Sequence, residues 1–194
     1  MTRKIGITGG IGSGKTTACK VFEILGIPVY YSDEAAKEIL DEDRQVRSYL
    51  LAAFGQDVIG ADGKADRKKI ADKVFADKEA LAGLNAVVHP AVGRHFDNWV
   101  KQQRSPYILK EAAILFESGA HQQVDLVITI VAPEELRIAR AMKRNGLSRE
   151  EVTRRMSSQM SDEEKIKRSA YTLINDESSL LIPQVLAIHS DLLK

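Results

Sequence analysis

Gly9-Gly10-Ile11-Gly12-Ser13-Gly14-Lys15-Thr16 satisfies the spacing G-x-x-x-x-G-K-[ST], and it falls between the apolar run Lys4-Ile5-Gly6-Ile7-Thr8 and a helical stretch from Lys15 to Leu25. Strand, glycine loop and helix in that order build a phosphate cradle. Glycines let main-chain N–H groups converge on phosphate oxygens, and the helix N-terminus adds its partial positive charge. On this reading Gly10, Ile11, Gly12, Ser13 and Gly14 line the phosphates of ATP, with Thr17 beside them in the first helical turn. Lys15 reaches the β- and γ-phosphates, and the Thr16 hydroxyl ligates Mg²⁺. A dinucleotide loop is excluded, because G-x-G-x-x-G starting at Gly10 needs a glycine where Lys15 stands. No N-K-x-D segment is present to read guanine, and Asp57-Val58-Ile59-Gly60 fits D-x-x-G only formally, inside a helical region.

Outward from the loop, Ile27 to Tyr31 reads as a second strand with Pro28 confined to its start, and Tyr107 to Lys110 as a third. Leu126 to Val131 is continuously apolar, the pattern of a strand buried on both faces of a parallel sheet, and Tyr171 to Ile174 is a fifth strand. Helices separate them. One opens at Pro133 and closes at Gly146, Ser148 with Glu151 and Ser161 with Glu164 match the capping-box spacing, and Leu180 to Leu192 forms the last. The expected fold is therefore α/β, a doubly wound parallel five-stranded sheet of the P-loop NTPase type. Residues 35–104 show only helical spacing, with Asp66 and Asp77 as N-caps and a helix break expected at Pro90. The expected organisation is a nucleotide-binding core of residues 1–34, 105–136 and 161–194, a helical insertion over 35–104 and a lid over 137–160.

Composition narrows the function classes. The 194 residues carry 28 Lys+Arg against 27 Asp+Glu, a net charge of +1, so no global field draws nucleic acid or an anionic membrane. Cys19 is the only cysteine, which excludes an intramolecular disulfide and a cysteine-based zinc site and suits a reducing compartment. Met1-Thr2-Arg3-Lys4 runs into glycines before a signal-peptide core develops, and no apolar run approaches the ~20 residues of a membrane span. The expectation is a cytoplasmic enzyme acting on small molecules, with a monomer favoured over an oligomer.

The remaining charged residues choose the chemistry. Asp33 lies just past the second strand, at the sheet edge where ligands of open α/β sheets collect. It serves either as a base that takes the proton of a substrate hydroxyl or, with Ser32, as a helix N-cap. Glu111 ends the third strand, either as a carboxylate that holds the metal through water or as a solvated acid; Glu117 reads as an exposed one. Arg137, Arg140 and Arg144 share one helix face. From Arg137 to Arg155 six arginines and one lysine stand against two glutamates, a net +5 suited to a lid over transferring phosphoryl charge. His89 and Arg67 can meet substrate or serve structure, and Phe96 and Trp99 read as core.

The joint pattern resembles the dephospho-CoA kinase family over nearly the whole chain. It is carried by Ile7 through Thr16, Asp33, Asp66-Arg67, Val74-Phe75, Leu84-Asn85, His89-Pro90, Leu115-Phe116-Glu117, Arg140, Arg144, Arg155 and Gln159. The resemblance implies transfer of the ATP γ-phosphoryl group to the ribose 3′-hydroxyl of dephospho-CoA, giving CoA and ADP, the last step of coenzyme A biosynthesis. It implies Asp33 as base with Lys15 and Arg140 stabilising charge, Arg144 and Asn175 on ATP, and Thr8, Arg67, His89, Glu111 and Phe116 on the acceptor side. Residues 35–104 would bind dephospho-CoA. Two departures stand out: Tyr31-Ser32-Asp33 keeps only the second acid of the family's Asp-x-Asp, and Glu111 replaces an Asp. The alternatives are another small P-loop kinase, for a nucleoside monophosphate or a small alcohol, and a non-catalytic switch in which ATP merely moves the lid.

Overall fold

The computed structural model describes residues 2–75 and 77–194; Met1 and Ala76 lie outside the described residues, as do the side chains of Phe75 and Asn145. The part of the family resemblance that rests on the Phe75 ring therefore lies outside them. Two compact units are formed, one from Met1–Tyr31 with Gln102–Lys194 and one from Ser32–Lys101.

In the first unit the described residues form one five-stranded sheet, ordered β2-β3-β1-β4-β5 and parallel throughout. The strands are β1 (Arg3–Gly9), β2 (Val29–Tyr31), β3 (Tyr107–Glu111), β4 (Leu126–Val131) and β5 (Tyr171–Ile174). β1 is central because it is covered on both faces, and from Ile5 to Gly9 every residue is buried. The chain winds first to β2 and β3 on one side of β1 and then to β4 and β5 on the other. The winding thus reverses at the carboxyl end of β1, where open α/β sheets bind ligands. Second-strand pairing starts at Val29, later than Ile27, since Pro28 has no N–H to give; its carbonyl accepts Leu109 N–H at 2.9 Å.

One face of the sheet is sealed by α1 (Lys15–Ile24) and α9 (Leu181–Leu192), where Ile5, Ile7, Phe22, Tyr107, Ile128 and Val185 interlock with no solvent exposure. Each such side chain contributes roughly 1.5–3 kcal/mol of burial free energy. Pro183 sits in the first turn of α9, where a missing N–H costs nothing. Cys19 is buried in this layer, and burial together with the Glu111 carboxylate pushes its thiol well above the ordinary range, which keeps it protonated and inert.

After β4 come α6 (Glu134–Asn145), α7 (Arg149–Ser157) and α8 (Asp162–Lys167). Pro133 is the N-cap of α6, one residue earlier than the first-turn position expected, and Gly146 closes the helix at φ 65°. Both halves of the Ser148/Glu151 capping box form. At Ser161 only the hydroxyl bond to Glu164 N–H is made, while the Glu164 carboxylate turns to Lys167 and Arg168. α7 packs on α6 through Ile138, Ala141 and Val152.

The second unit holds α2 (Ser32–Glu42), α3 (Arg44–Phe54), α4 (Arg67–Phe75) and α5 (Lys78–Lys101), around a core that includes Ile39, Val46, Leu50, Leu84 and Val88. Asp66 and Asp77 cap as expected, accepting Lys69 N–H and Glu79 and Ala80 N–H. The break expected at Pro90 does not occur: α5 runs through it for 24 residues. A mid-helix proline costs about 3 kcal/mol. Leu84 and Val88 before it and Ala91 and Phe96 after it are all buried, so an unbroken apolar stripe outweighs the lost hydrogen bond. Phe96 is core, and Trp99 stacks on it at 6.4 Å. Among the described residues no helix is long and apolar enough to cross a membrane.

Candidate active site

The phosphate loop leaves β1 at Gly9 and enters α1 at Lys15, and its shape depends on glycines that no other residue replaces. Gly12 has φ 76° and Gly14 φ 98°, left-handed conformations that a side chain resists. A Cβ on Gly12 would collide with the Arg137 carbonyl, and one on Gly14 with the Asn175 side-chain amide. The loop is therefore held from outside by two residues far along the chain.

Asn175 follows β5 and donates from Nδ2 to the Ser13 carbonyl at 2.8 Å. Arg140 Nη1 donates to the Asn175 carbonyl at 3.1 Å, and its Nη2 lies 3.3 Å from Glu177. The two residues read from the sequence as separate ATP and phosphoryl contacts are thus joined, Arg140 through Asn175 to the loop. Glu177 takes the left-handed conformation at φ 70°, in a turn that Asp176 closes by accepting Ser178 and Ser179 N–H. Those bonds lower the Asp176 carboxyl to a pKa of about 2.

Arg137 departs from the sequence reading. Instead of facing outward beside Arg140 and Arg144, its guanidinium is buried, 2.6 Å from Asp162, and donates from Nε to the Ile11 carbonyl at 3.2 Å. Its guanidinium packs on the loop at Gly10 and Ile11, so Arg137 braces the loop. Arg144 is exposed on the last turn of α6. Arg149 is exposed too but is not merely solvated: it forms a two-pronged pair with Glu135, at 2.9 and 2.5 Å.

Within the loop, Lys15 Nζ lies 2.9 Å from the Gly9 carbonyl and 3.3 Å from that of Gly10, so its ammonium overhangs the cradle. Thr16 and Thr17 are exposed in the first turn of α1. The Ser13 and Thr8 hydroxyls are buried without a hydrogen-bond partner among the described residues. Buried hydroxyls of this kind are rare. Glu111 is almost fully buried at the end of β3, in register with Ile7 and Tyr31, on the α1 side of the sheet. Its charge acts on the Cys19 thiol, one helical turn beyond Thr16. A hydroxyl and a carboxylate so placed are hard oxygen donors of the kind Mg²⁺ prefers.

Beyond β3, Phe116 is buried with its ring 5.3 Å from His121, leaving Ile114 as the exposed apolar residue of that segment. Glu117 is exposed, as its position suggests, and is anchored as well. Its Oε1 accepts Met160 N–H at 2.7 Å and lies 3.6 Å from the buried ammonium of Lys165. Gln159 bonds Ile11 N–H at 2.9 Å and the Ala113 carbonyl at 3.3 Å. Sequence reasoning missed Asp162, Glu117 and Lys165 as parts of this surround and gave Gln159 no role. The capping-box signal at Ser161 pointed to the right turn but not to its ion pairs.

In the second unit, Asp33 is exposed in the first turn of α2, inside the helix and not at its N-cap. Asp33, Lys37 and Asp41 follow at intervals of four, on one stripe of α2, and Arg67 docks on that stripe with Nη2 2.6 Å from Asp41 and 3.3 Å from the Lys37 carbonyl. Asp33 and Asp41 are about 12 Å apart along the helix. His89 is half-buried on α5, and burial lowers its pKa, which favours the neutral ring.

The dephospho-CoA kinase family model matches residues 3–180. A dephospho-CoA kinase from Bacteroides fragilis is 41% identical over 189 residues, covering 97% of this chain and 92% of that protein. The crystal structure of TT1252 from Thermus thermophilus superposes with a TM-score of 0.85 at 36% identity, covering 98% of this chain and 97% of that one. The dephospho-CoA kinase from Campylobacter jejuni gives 0.71 at 28% identity, covering 98% and 97%.

Proposed function

The chain belongs to the dephospho-CoA kinase family of ATP-dependent kinases, and from that premise we propose that it transfers the ATP γ-phosphoryl group to the ribose 3′-hydroxyl of dephospho-CoA. The observation that carries this reading is a family match running from the first strand past the fifth, across both compact units. The earlier alternatives each explain the phosphate loop alone.

In residue terms, the loop amides and Lys15 hold the β- and γ-phosphates, and Thr8 at the end of β1 lies on the acceptor side. Arg140 stabilises charge on the phosphoryl group in flight, held through Asn175 at the loop's edge. Asp33 accepts the proton of the acceptor 3′-hydroxyl as its oxygen forms the new bond to phosphorus, and the bond to the β-phosphate oxygen breaks to release ADP. Arg144 and Asn175 complete the ATP contacts, while Arg67, His89 and Phe116 bind the acceptor. Mg²⁺, when bound, neutralises charge on the phosphates, with Thr16 as its hydroxyl ligand and Glu111 reached through water.

Residues 35–104 serve as the acceptor-binding domain and 137–160 as the lid, in a monomer with no nucleic-acid or membrane partner. A single buried thiol and a balanced surface charge support a cytoplasmic setting.

An acceptor panel tests this. With Mg²⁺ and ATP, coupled ADP release should rise far above the ATP-only background with dephospho-CoA and stay at background with AMP or a simple alcohol. Turnover on AMP instead would make the protein a nucleoside monophosphate kinase. Tight ATP binding with no acceptor-stimulated ADP release would make it a nucleotide switch.

A further inference from the structure

Resting on the reading just given, we infer that Gln159 is a positioning residue that sets the spacing between the phosphate loop and the segment Ala112–Glu117, with Glu117 as its second anchor. Gln159 lies in the short connection between α7 and α8. Its Oε1 accepts Ile11 N–H at 2.9 Å, and its Nε2 donates to the Ala113 carbonyl at 3.3 Å. The next residue, Met160, donates its N–H to Glu117 Oε1 at 2.7 Å. Two consecutive residues therefore grip the post-β3 segment at both ends, bracketing Ile114-Leu115-Phe116, and one of them also grips the phosphate loop.

The chemistry of the bridge is specific. A loop amide needs an acceptor and a carbonyl needs a donor, and at this reach a primary amide supplies both from one planar group. Glutamate keeps the acceptor and loses the donor. Lysine does the reverse. The second anchor is charge-assisted: the Glu117 carboxylate lies 3.6 Å from Lys165 Nζ, an ammonium with no exposure to solvent. A buried ammonium needs that carboxylate charge beside it, so Glu117 stays where Met160 can reach it.

The bridge also ties the acceptor side to the lid. Gln159 begins two residues after α7 ends, and its own N–H bonds the Met156 carbonyl in the last turn of that helix. Movement of α7 therefore pulls on Gln159, and through it on Ala113 and Ile11 together. The property at stake is alignment of acceptor with phosphate, more than affinity for nucleotide.

Gln159→Ala and Gln159→Glu separate the two arms. Steady-state kinetics in each substrate and hydrogen exchange of peptides containing Ile11 and residues 112–117 would be measured on the parent and both variants. Both should lose about ten-fold or more in kcat/KM for dephospho-CoA while ATP affinity stays within about three-fold. Exchange over 112–117 should rise in both, and exchange at Ile11 should rise in Gln159→Ala but stay low in Gln159→Glu. Unchanged exchange over 112–117 overturns the inference. So does kcat/KM within two-fold of the parent, or the same loss against both substrates in both variants, which a general weakening of the fold would produce. If the parent itself fails to turn over dephospho-CoA, the functional reading fails separately, and the exchange pattern still decides the role of Gln159.

Discussion

The side-chain amide of Asn175 donates to the carbonyl of Ser13 at 2.8 Å, which ties the end of β5 to the middle of the phosphate loop. The same amide fills the space that a side chain on Gly14 would need, and the Asn175 carbonyl anchors Arg140. One neutral hydrogen bond of this kind contributes about 1 kcal/mol. Asn175→Ala should therefore weaken ATP binding about five-fold by calorimetry, with a smaller change in KM for dephospho-CoA.

Gly12→Ala should be far worse than its one added methyl suggests. The backbone there is left-handed, and the Arg137 carbonyl that the methyl would strike belongs to a residue whose side chain is tied to both Ile11 and Asp162. Strain and overpacking together cost on the order of 2–4 kcal/mol. The expected result is a lower melting temperature and loss of the stabilisation that ATP gives the parent.

Arg137 and Arg140 should behave oppositely. Arg137→Met strands Asp162, and because only 10% and 18% of the two side chains is exposed, the loss should be on the order of 3 kcal/mol, or about 6–12 °C in melting temperature. Arg140→Met removes a more exposed pair and should cost under about 1 kcal/mol of stability, yet lower kcat on the order of 100-fold. Thermal melts and kcat measured side by side separate the two. Equal stability losses would remove the distinction.

The phosphate loop and the sheet were legible because their signals are local: eight contiguous residues, apolar runs of strand length, caps within four residues of their partners. What stayed hidden depends on partners distant in sequence. Nothing near Arg137 announces Asp162, 25 residues on, so three arginines on one helix face look equivalent until one is found buried. Glu117 is exposed as its position suggests, but its anchoring stays hidden because its partners, Met160 and Lys165, arrive from beyond the lid helix. Pro90 misleads for a related reason, since the burial that carries α5 through it comes from packing and not from helix propensity. Gln159 shows the remaining gap: a motif can mark a residue without saying what its amide holds.

His89 should leave a signature in stability against pH. Burial lowers its pKa below the ordinary 6.5, so as pH falls the unfolded chain takes up the proton first. The contribution of this group is therefore constant above about pH 7, declines as pH drops through 6.5, and levels off below the folded-state value. Between pH 8 and pH 5 the parent should lose more melting temperature than His89→Gln. An identical decline in both would show that His89 does not titrate this way.

Asp33→Asn, assayed for turnover and ATP affinity in one preparation, tests the central claim most directly. The amide keeps the size of the carboxylate but cannot take the proton of the 3′-hydroxyl. Turnover of dephospho-CoA should fall by roughly 100-fold or more while ATP binds within about two-fold of the parent affinity. Turnover within about three-fold of the parent would contradict the assignment of Asp33 as the base and the account built on it.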